Sequence, residues 1–518
     1  MKKHLFIIAL SLLFILFFIL VVLDYPKDSS AIPITTRSQQ ARQDFLKGRD
    51  LAERLREREA CDYFEKAVAE DPQFAYACLY LSRLHPSVKT RLNFLIRAEE
   101  LSSNVSEGER LLILGARAYN NRQALEERQI MQQLIEAYPD DARAHNEFGN
   151  TLFWQKDWSG AINEYLIAVR LEPSYSQPYN GLGYCYRFVG DLTTAENYFL
   201  KYLELLPDDP NPYDSYADLL NEMGRHEEAI TIYRKAIEIR PDFSRSHLGI
   251  AWNLCVLGEY PQAIDQLNQL YSSSSDDFRR RTALFGMAVT YADQGDLERA
   301  SSVFQSACEI DKASSDHLAL SEDLNRLGLV FLEAGRLGDA SRTFTAALQT
   351  ILEAPGTSRE VIENTQLDHM HNFVLVSLTK HDLATALDLA QNSFKSAESS
   401  LDPKRVQQAH QLIGLTKLAS GDLNRAIDEL NQSDVTEAYT QYHLALAYEG
   451  TGDYAHALKY YRLASTYDQF NPLTQAFVRK RAKTRVESLL LARQDVPTAA
   501  TTTDSLITPI AHQPGETA

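Results

Sequence analysis

The stretch SYSQPYNGLGYCYRFVGDLTTAENYFLKYLELLP, residues 174–207, decides the fold of this chain. It contains two amphipathic segments separated by Gly190, and it ends in a proline. Glycine supplies the positive φ that ends a helix, and proline cannot continue one. The stretch therefore predicts two helices joined by a tight turn. Because Pro173, Pro207 and Pro241 are each separated by 34 residues, this unit is repeated.

Small and large side chains alternate between the two segments. Gly183 on the first segment and Ala195 on the second leave room that Phe199 fills, because small side chains let two helix axes approach closely. The neighbouring units repeat the scheme with Gly149, Ala161 and Tyr165 on one side and Ala217, Ala229 and Tyr233 on the other. The sequence therefore predicts an all-α stack of helical hairpins with one continuous core.

This pattern resembles the tetratricopeptide repeat (TPR) family. The residues that carry the resemblance in the quoted unit are Tyr179, Leu182, Gly183, Tyr186, Gly190, Ala195, Phe199 and Pro207. The resemblance implies a right-handed superhelical solenoid whose first helices line a concave groove that binds other proteins or peptides. About twelve hairpins are predicted over residues 42–472, with the clearest repeats at 142–275 and longer repeats at 281–470.

An apolar segment precedes the repeats and predicts one transmembrane helix. In Leu5–Leu23 the only polar residue is Ser11, and its length at about 1.5 Å per residue is that of a bilayer span. Residues 1–23 are therefore interpreted as a signal-anchor. Because Lys2 and Lys3 precede the span, we expect a single-pass protein of a bacterial inner membrane with a periplasmic repeat region. Secretion after signal cleavage is the alternative.

Three further segments flank the repeats. Residues 24–41 predict a linker, 473–492 a capping helix and 493–518 a disordered tail rich in Thr, Ala and Pro. The predicted capping helix carries five cations that we expect on its surface, where they would solvate the open end of the stack: Arg479, Lys480, Arg481, Lys483 and Arg485.

Polar residues recur at first-helix positions that packing does not require, and these are the candidates for a peptide-binding groove. They are Arg143, Asn146, Asn150, Asn180, Tyr184, Arg187, Asn211, Asp214, Asp218 and Asn221. Asparagine both donates and accepts hydrogen bonds, which suits binding to an extended peptide backbone. Asp214 and Asp218 would add a preference for a basic residue. The alternative interpretation is a polar face that contacts solvent alone.

Further along the chain the corresponding positions become apolar. They are occupied by Leu248, Trp252, Phe285, Val289, Leu329 and Leu332. Two interpretations follow: a second binding segment that takes a helix, or a groove that the chain itself fills.

The composition excludes several classes of function. The chain has 70 acidic and 52 basic residues, which disfavours nucleic-acid binding. Its five cysteines form no C-x-x-C pair, and Cys61 and Cys78 are the one pair to check for a disulfide. No nucleotide-binding or hydrolase motif is present, and no catalytic residue, metal ligand or cofactor is predicted.

The sequence therefore predicts a membrane-tethered scaffold for protein–protein interaction and no enzyme. The alternative is an accessory or sensor protein of the cell envelope that binds a specific peptide or a small ligand. The partner and the oligomeric state stay open at this stage.

Overall fold

The structure, a computed structural model, describes residues 31–494 except 86, 122, 275, 356, 358, 401–402 and 467–471. Within these residues the chain forms 25 α-helices and no strand, so the predicted all-α class is confirmed. The chain divides into two compact units, of which unit 1 ends at Leu219 and unit 2 begins at Leu220.

The first eleven helices begin in unit 1. Their bounds are α1 (Gln39–Glu53), α2 (Glu57–Glu70), α3 (Ala75–Leu84), α4 (Val88–Leu101), α5 (Glu107–Asn120), α6 (Ala124–Ala137), α7 (Ala142–Trp154), α8 (Trp158–Leu171), α9 (Gln177–Phe188), α10 (Leu192–Leu205) and α11 (Pro210–Glu222). A short 3-10 helix, Ser102–Asn104, follows α4. The boundary between the units falls inside α11.

The remaining fourteen helices belong to unit 2. Their bounds are α12 (His226–Ile239), α13 (Ser244–Leu257), α14 (Tyr260–Ser273), α15 (Asp277–Gln294), α16 (Leu297–Ser314), α17 (His317–Glu333), α18 (Leu337–Glu353), α19 (Arg359–Thr379), α20 (Leu383–Ser400), α21 (Pro403–Ala419), α22 (Leu423–Asn431), α23 (Ala438–Gly450), α24 (Tyr454–Ser465) and α25 (Pro472–Gln494). In chain order, α1–α24 make twelve pairs of a first and a second helix, and α25 follows them.

The pairs are held together by the predicted fit of large into small side chains. A Cβ atom placed on Gly149 would lie 2.6 Å from Cε1 of Tyr165, and one on Gly183 would lie 2.5 Å from Cε1 of Phe199. Ala195 on the second helix is fully buried. Since atoms cannot approach so closely, the helix axes can take this spacing only with glycine at the contact.

The turns inside the pairs use the predicted glycines. Gly190 has φ +84° with open space around its Cβ position, and Asp191 then caps the second helix by accepting a hydrogen bond from the Thr194 amide. Positive φ also occurs at glycines in the turns of other pairs, which are Gly224, Gly258, Gly295, Gly335, Gly421 and Gly452. The pair α7–α8 has no glycine at this position, and there Lys156 takes φ +61°.

The stacking of the pairs defines which helices form the inner face of each unit. Contacts also join first helices of neighbouring pairs, such as α3 with α5 and α7 with α9 in unit 1, and α13 with α15 in unit 2. Because a stack is concave on the side where its neighbours approach, the first helices line the inner face within each unit. We call this surface the first-helix face.

Residues 31–38, within the predicted linker, are held against unit 1 in the structure. The amide of Ile32 donates to Oδ2 of Asp141 (2.7 Å), and the amide of Thr35 donates to Oε1 of Glu109 (2.8 Å). The hydroxyl of Thr36 donates to Oδ2 of Asp71 (2.5 Å). We call this segment the strap; α1 begins directly after it, at Gln39.

The predicted membrane segment lies outside the described part of the chain. None of the helices between residues 31 and 494 that the structure describes is long and apolar enough to cross a bilayer. The predicted span Leu5–Leu23 precedes these residues, and of the predicted tail 493–518 only the first two residues are described, as the end of α25.

Candidate functional site

A cavity of about 170 Å³ opens on the first-helix face of unit 1. Its walls come from α1, α3, α5 and α7, together with the start of α9 and Ile32 of the strap. Of the ten predicted groove residues, Arg143 and Asn150 line this cavity. The structure therefore places two of the predicted groove residues, Arg143 and Asn150, at a concave site.

The side chain of Arg143 is bound by other side chains of the protein. Its Nε lies 2.7 Å from Oε1 of Glu53, its Nη1 lies 2.8 Å from Oε2 of Glu172, and its guanidinium lies 4.8 Å from the ring centre of Tyr175. Burial would lower the pKa of Arg143, but the bonds with Glu53 raise it above its usual value. The side chain is a fixed cation with two carboxylate partners, which makes it a poor clamp for a ligand carboxylate.

Other polar side chains of the cavity are either paired with an opposite charge or neutral. Arg83 pairs with Glu147 across 2.9 Å. Burial raises the pKa of Tyr80 to about 12 and that of Tyr76 well above its ordinary value, so both phenols stay neutral at pH 7. The cavity thus presents neutral hydroxyl groups and paired charges, a surface suited to a polar, uncharged chain.

Two predicted asparagines occupy equivalent positions one repeat apart. Asn146 on α7 is 2% exposed; its Nδ2 donates to Oε1 of Gln177 (3.4 Å). Its Oδ1 is buried and has no hydrogen-bond partner among the described residues. The same holds for Oδ1 of Asn180 on α9. A buried acceptor without a partner costs about 1–3 kcal/mol, so each oxygen would be stabilised by an N–H donor that reaches it.

Three other predicted residues orient neighbouring side chains. Oδ1 of Asn150 accepts from the hydroxyl of Tyr165 (2.8 Å), and Nδ2 of Asn211 donates to the hydroxyl of Tyr202 (2.9 Å). The hydroxyl of Tyr184 donates to Oγ of Ser215 (3.3 Å). Each of these three residues lies on the first-helix face and also hydrogen-bonds to another side chain of unit 1.

The remaining candidates lie at the far end of the set. The guanidinium of Arg187 lies 5.9 Å from the ring centre of Tyr184. Asp214 and Asp218 are 1% and 5% exposed on α11. Asn221 follows on the same helix but belongs to unit 2, where its Oδ1 lies 3.1 Å from Nδ1 of His226. The predicted peptide contacts of these residues stay a prediction.

Several cavity residues were not predicted from the sequence. Tyr76 and Tyr80 lie on α3, in a stretch that matches the repeat pattern poorly, although two tyrosines one helical turn apart are a usable signal for a common face. Ile32 reaches the cavity because the strap is hydrogen-bonded to Asp141 and Glu109. No sequence pattern indicates that Asp141 and Glu109 bind the strap.

The first-helix face of unit 2 is filled by the chain itself, one of the two interpretations that the sequence left open. Trp252 and Val289 belong to one buried core with four residues of α25, namely Leu473, Ala476, Phe477 and Val478. The prediction that Arg479 lies on the surface is wrong, because Arg479 is 4% exposed and pairs with Asp293. An arginine in a row of exposed cations gives no local sign of such a partner.

The described residues contain neither a metal-binding cluster nor a disulfide. These residues contain no cluster of three or more histidine, cysteine or acidic side chains that could hold a metal ion. All five cysteines are free and buried, so Cys61 and Cys78 form no disulfide. Burial raises the pKa of the Cys61 thiol and of the Cys78 thiol to about 11 each, which keeps both protonated at pH 7.

Family models of the tetratricopeptide repeat match four stretches of the chain, and these coincide with pairs of helices. Residues 176–209 cover α9 and α10, 211–243 cover α11 and α12, 279–352 cover α15–α18, and 438–471 cover α23 and α24. No curated protein matches the chain.

Solved structures that resemble the chain each align with about a third of it. YrrB, described as a TPR protein with an unusual peptide-binding site, is 20% identical over 35% of this chain and 92% of its own, with a TM-score of 0.27. The MamA protein is 18% identical over 32% and 90%, with a TM-score of 0.29. A MamA fragment from Desulfovibrio magneticus RS-1 is 13% identical over 33% and 97%, with a TM-score of 0.29. The four matched stretches, together with the helix pairs that they cover, show that the chain contains tetratricopeptide repeats.

Proposed function

We propose that the chain is a scaffold that binds an extended segment of a partner protein on the first-helix face of unit 1. Tetratricopeptide repeats generally serve protein–protein interaction, and the chain contains such repeats in both units.

The observation that carries this proposal is the pair of unpartnered acceptors on neighbouring first helices. Oδ1 of Asn146 and Oδ1 of Asn180 are buried, equivalent in position and without a partner in the described residues. An extended peptide presents backbone N–H groups at regular intervals along its length. Such a ligand would satisfy both oxygens whatever side chains it carries.

The charges of the face favour a neutral or basic segment. Glu53 and Glu172 already hold Arg143, and Glu147 holds Arg83, so no cation at the cavity is left for an acidic ligand. Asp214 and Asp218 would add negative potential at the other end of the candidate set. A segment with one basic residue next to polar, uncharged residues is the ligand that fits these charges.

Site-specific photo-crosslinking in the source cells tests the proposal. A photoreactive amino acid replaces Asn150, at the cavity, in the full chain; the control position is Gln133, an exposed residue on the second helix α6. We expect light-dependent adducts with one or a few polypeptides from position 150 and none from position 133. Asn146→Ala should lower the adduct yield several-fold, whereas Asn392→Ala, at an exposed position of unit 2, should not.

Equal adducts from positions 150 and 133 would contradict the proposal, because they would indicate random collision. Adducts that persist in full after Asn146→Ala together with Asn180→Ala would also contradict it. Both variants must retain the helical circular dichroism of the parent chain.

The size of the cavity favours one further candidate function, that of an accessory or sensor protein for a small ligand. A volume of about 170 Å³ holds a small molecule or one side chain, and three tyrosines and two ion pairs line it. A chain that yields no polypeptide adduct but melts at a higher temperature with a small molecule from a cell extract would support this candidate.

The membrane tether belongs to the same proposal. The length of Leu5–Leu23 and the cations before it support a retained anchor in a bacterial inner membrane, with the repeats on the periplasmic side. Secretion after cleavage is the competing outcome.

A further inference from the structure

The last helix, α25, has two halves with different surroundings. Val486 and Leu489, in its second half, pack with Ala445, Ala457 and Tyr461 of the last pair of helices, as an end cap does. The first half instead reaches first helices far earlier in the chain. Phe477 is 8% exposed and shares a core with Trp252 of α13, Val289 of α15 and Phe331 of α17.

A buried arginine fixes the register of this first half. Nε of Arg479 lies 2.7 Å from Oδ1 of Asp293, and its Nη2 lies 2.5 Å from Oδ2 of the same carboxylate. Asp293 is 1% exposed, and its Oδ2 also accepts from the hydroxyl of Tyr260 (2.8 Å). A bidentate arginine–carboxylate pair is geometrically specific, and removal of either partner leaves a buried charge uncompensated.

Weaker charge pairs surround this contact. Arg481 pairs with Glu333 of α17, and Arg485 pairs with Glu449 of α23. Nζ of Lys480 donates to the carbonyl oxygen of Gln294 (3.4 Å). α25 therefore brings cations, and the first-helix face of unit 2 brings the acids that match them.

Together these contacts have the anatomy of a receptor for a helix. A buried aromatic anchor and a desolvated arginine lie at the centre, and exposed charge pairs lie at the rim. An end cap alone would not require them, since the last pair is covered by the second half of α25. The first half contacts residues such as Asp293, which precedes Arg479 by 186 positions.

We propose that the first-helix face of unit 2 is a receptor for a basic amphipathic helix of a partner protein, one with a phenylalanine and an arginine two positions after it. α25 is the intramolecular occupant that such a helix replaces. Because α25 is part of the same chain, it competes for the site at an effective concentration on the order of millimolar. A partner helix present at a lower concentration must therefore have a Kd for the open site well below that of α25. This site is independent of the peptide site proposed for unit 1.

A labelled peptide tests the receptor. The probe is a fluorescent peptide of residues 472–494, titrated into the full chain and followed by anisotropy. We expect weak binding to the unmodified chain, whose site is occupied, and at least tenfold tighter binding to the full-length Phe477→Ala, Arg479→Ala variant, whose own helix is weakened. A probe with Arg479→Ala should lose affinity on the order of 30-fold, and a probe with Lys483→Ala, an exposed position, should bind as the parent does.

A second measurement needs no folded variant. The unmodified full chain is labelled with ¹⁵N and mixed with unlabelled probe at about 10 mM, above the effective concentration of its own helix, and amide hydrogen exchange is followed in α25. Faster exchange across residues 473–481 is expected as the probe replaces the helix. Unchanged exchange at saturating probe would overturn the proposal, as would a folded double variant that does not bind the probe or equal loss of affinity from the Arg479→Ala and Lys483→Ala probes.

Discussion

At the scale of single residues, the pKa of the Asp311 carboxyl group in unit 2 is set by neighbours with opposite effects. Asp311 on α16 is 1% exposed, and burial is the largest influence on its pKa. Nε of Arg281 lies 2.6 Å from Oδ1 of Asp311 and opposes the rise, whereas Asp323 adds to it. Arg326 is bound to Asp323, at 2.6 Å, and not to Asp311. The result is a pKa of Asp311 raised to about 7.

This shift predicts how the stability of unit 2 depends on pH. Because the folded pKa of Asp311 lies above its unfolded value, folding favours the protonated form. The stabilising contribution is complete below about pH 4 and is lost as the pH rises through about 7. Asp311→Asn should therefore remove about one proton from the pH dependence of the unfolding free energy between about pH 4 and 7, measured by urea unfolding. Asp388→Asn, at an exposed site, is the control, and an equal slope in both variants would contradict the assignment.

At the scale of the element, the pair α9–α10 shows what the sequence determines about a hairpin. Gly183, Ala195 and Phe199 were predicted to meet, and the structure confirms it: a Cβ at 183 would lie 2.5 Å from Phe199, which is fully buried. This was predictable because the fit depends on residues close in sequence and at helical spacing. The side-chain pairing inside the cavity was not, since Glu53 and Arg143 are 90 positions apart.

The close contact at Gly183 gives a stability prediction. Gly183→Ala should lower the free energy of unfolding, because overpacking against Phe199 costs about 1–3 kcal/mol and outweighs the gain in helix propensity of about 1 kcal/mol. Gly338→Ala is the matched control: it is exposed in α18, and its nearest neighbour is Nη1 of Arg342 at 3.7 Å. That substitution should be neutral or stabilising by up to about 1 kcal/mol in urea unfolding. A Gly183→Ala chain as stable as the parent would refute the packing argument.

At the scale of the whole molecule, pattern and repeat length predict the series of helix pairs but not its ends. The prediction of about twelve hairpins agrees with twelve pairs in the described residues. The packing of the strap and of the first half of α25 was not predicted, because each is fixed by partners remote in sequence, Asp141 for one and Asp293 for the other. A periodic signal reports contacts between neighbours, whereas these two segments break the period.

The proposed membrane anchor is tested on the whole chain. After alkaline carbonate extraction, the full chain should remain in the membrane pellet, and a chain that lacks residues 2–23 should be in the supernatant. The mass of the recovered N-terminus distinguishes a retained anchor from cleavage. Protease added to spheroplasts should digest the repeats if they are periplasmic; full protection would contradict the proposed orientation.

The strap has a consequence for where a ligand would have to be found. Its hydrogen bonds fix Ile32 at the rim of the cavity, and Ile32 follows Leu23, the end of the proposed anchor, by nine positions. A chain of nine residues reaches at most about 30 Å when fully stretched. With the anchor retained, the mouth of the cavity therefore stays within one bilayer thickness of the lipid headgroups. Partners embedded in, or emerging from, the same membrane would meet it far more often than freely diffusing ones.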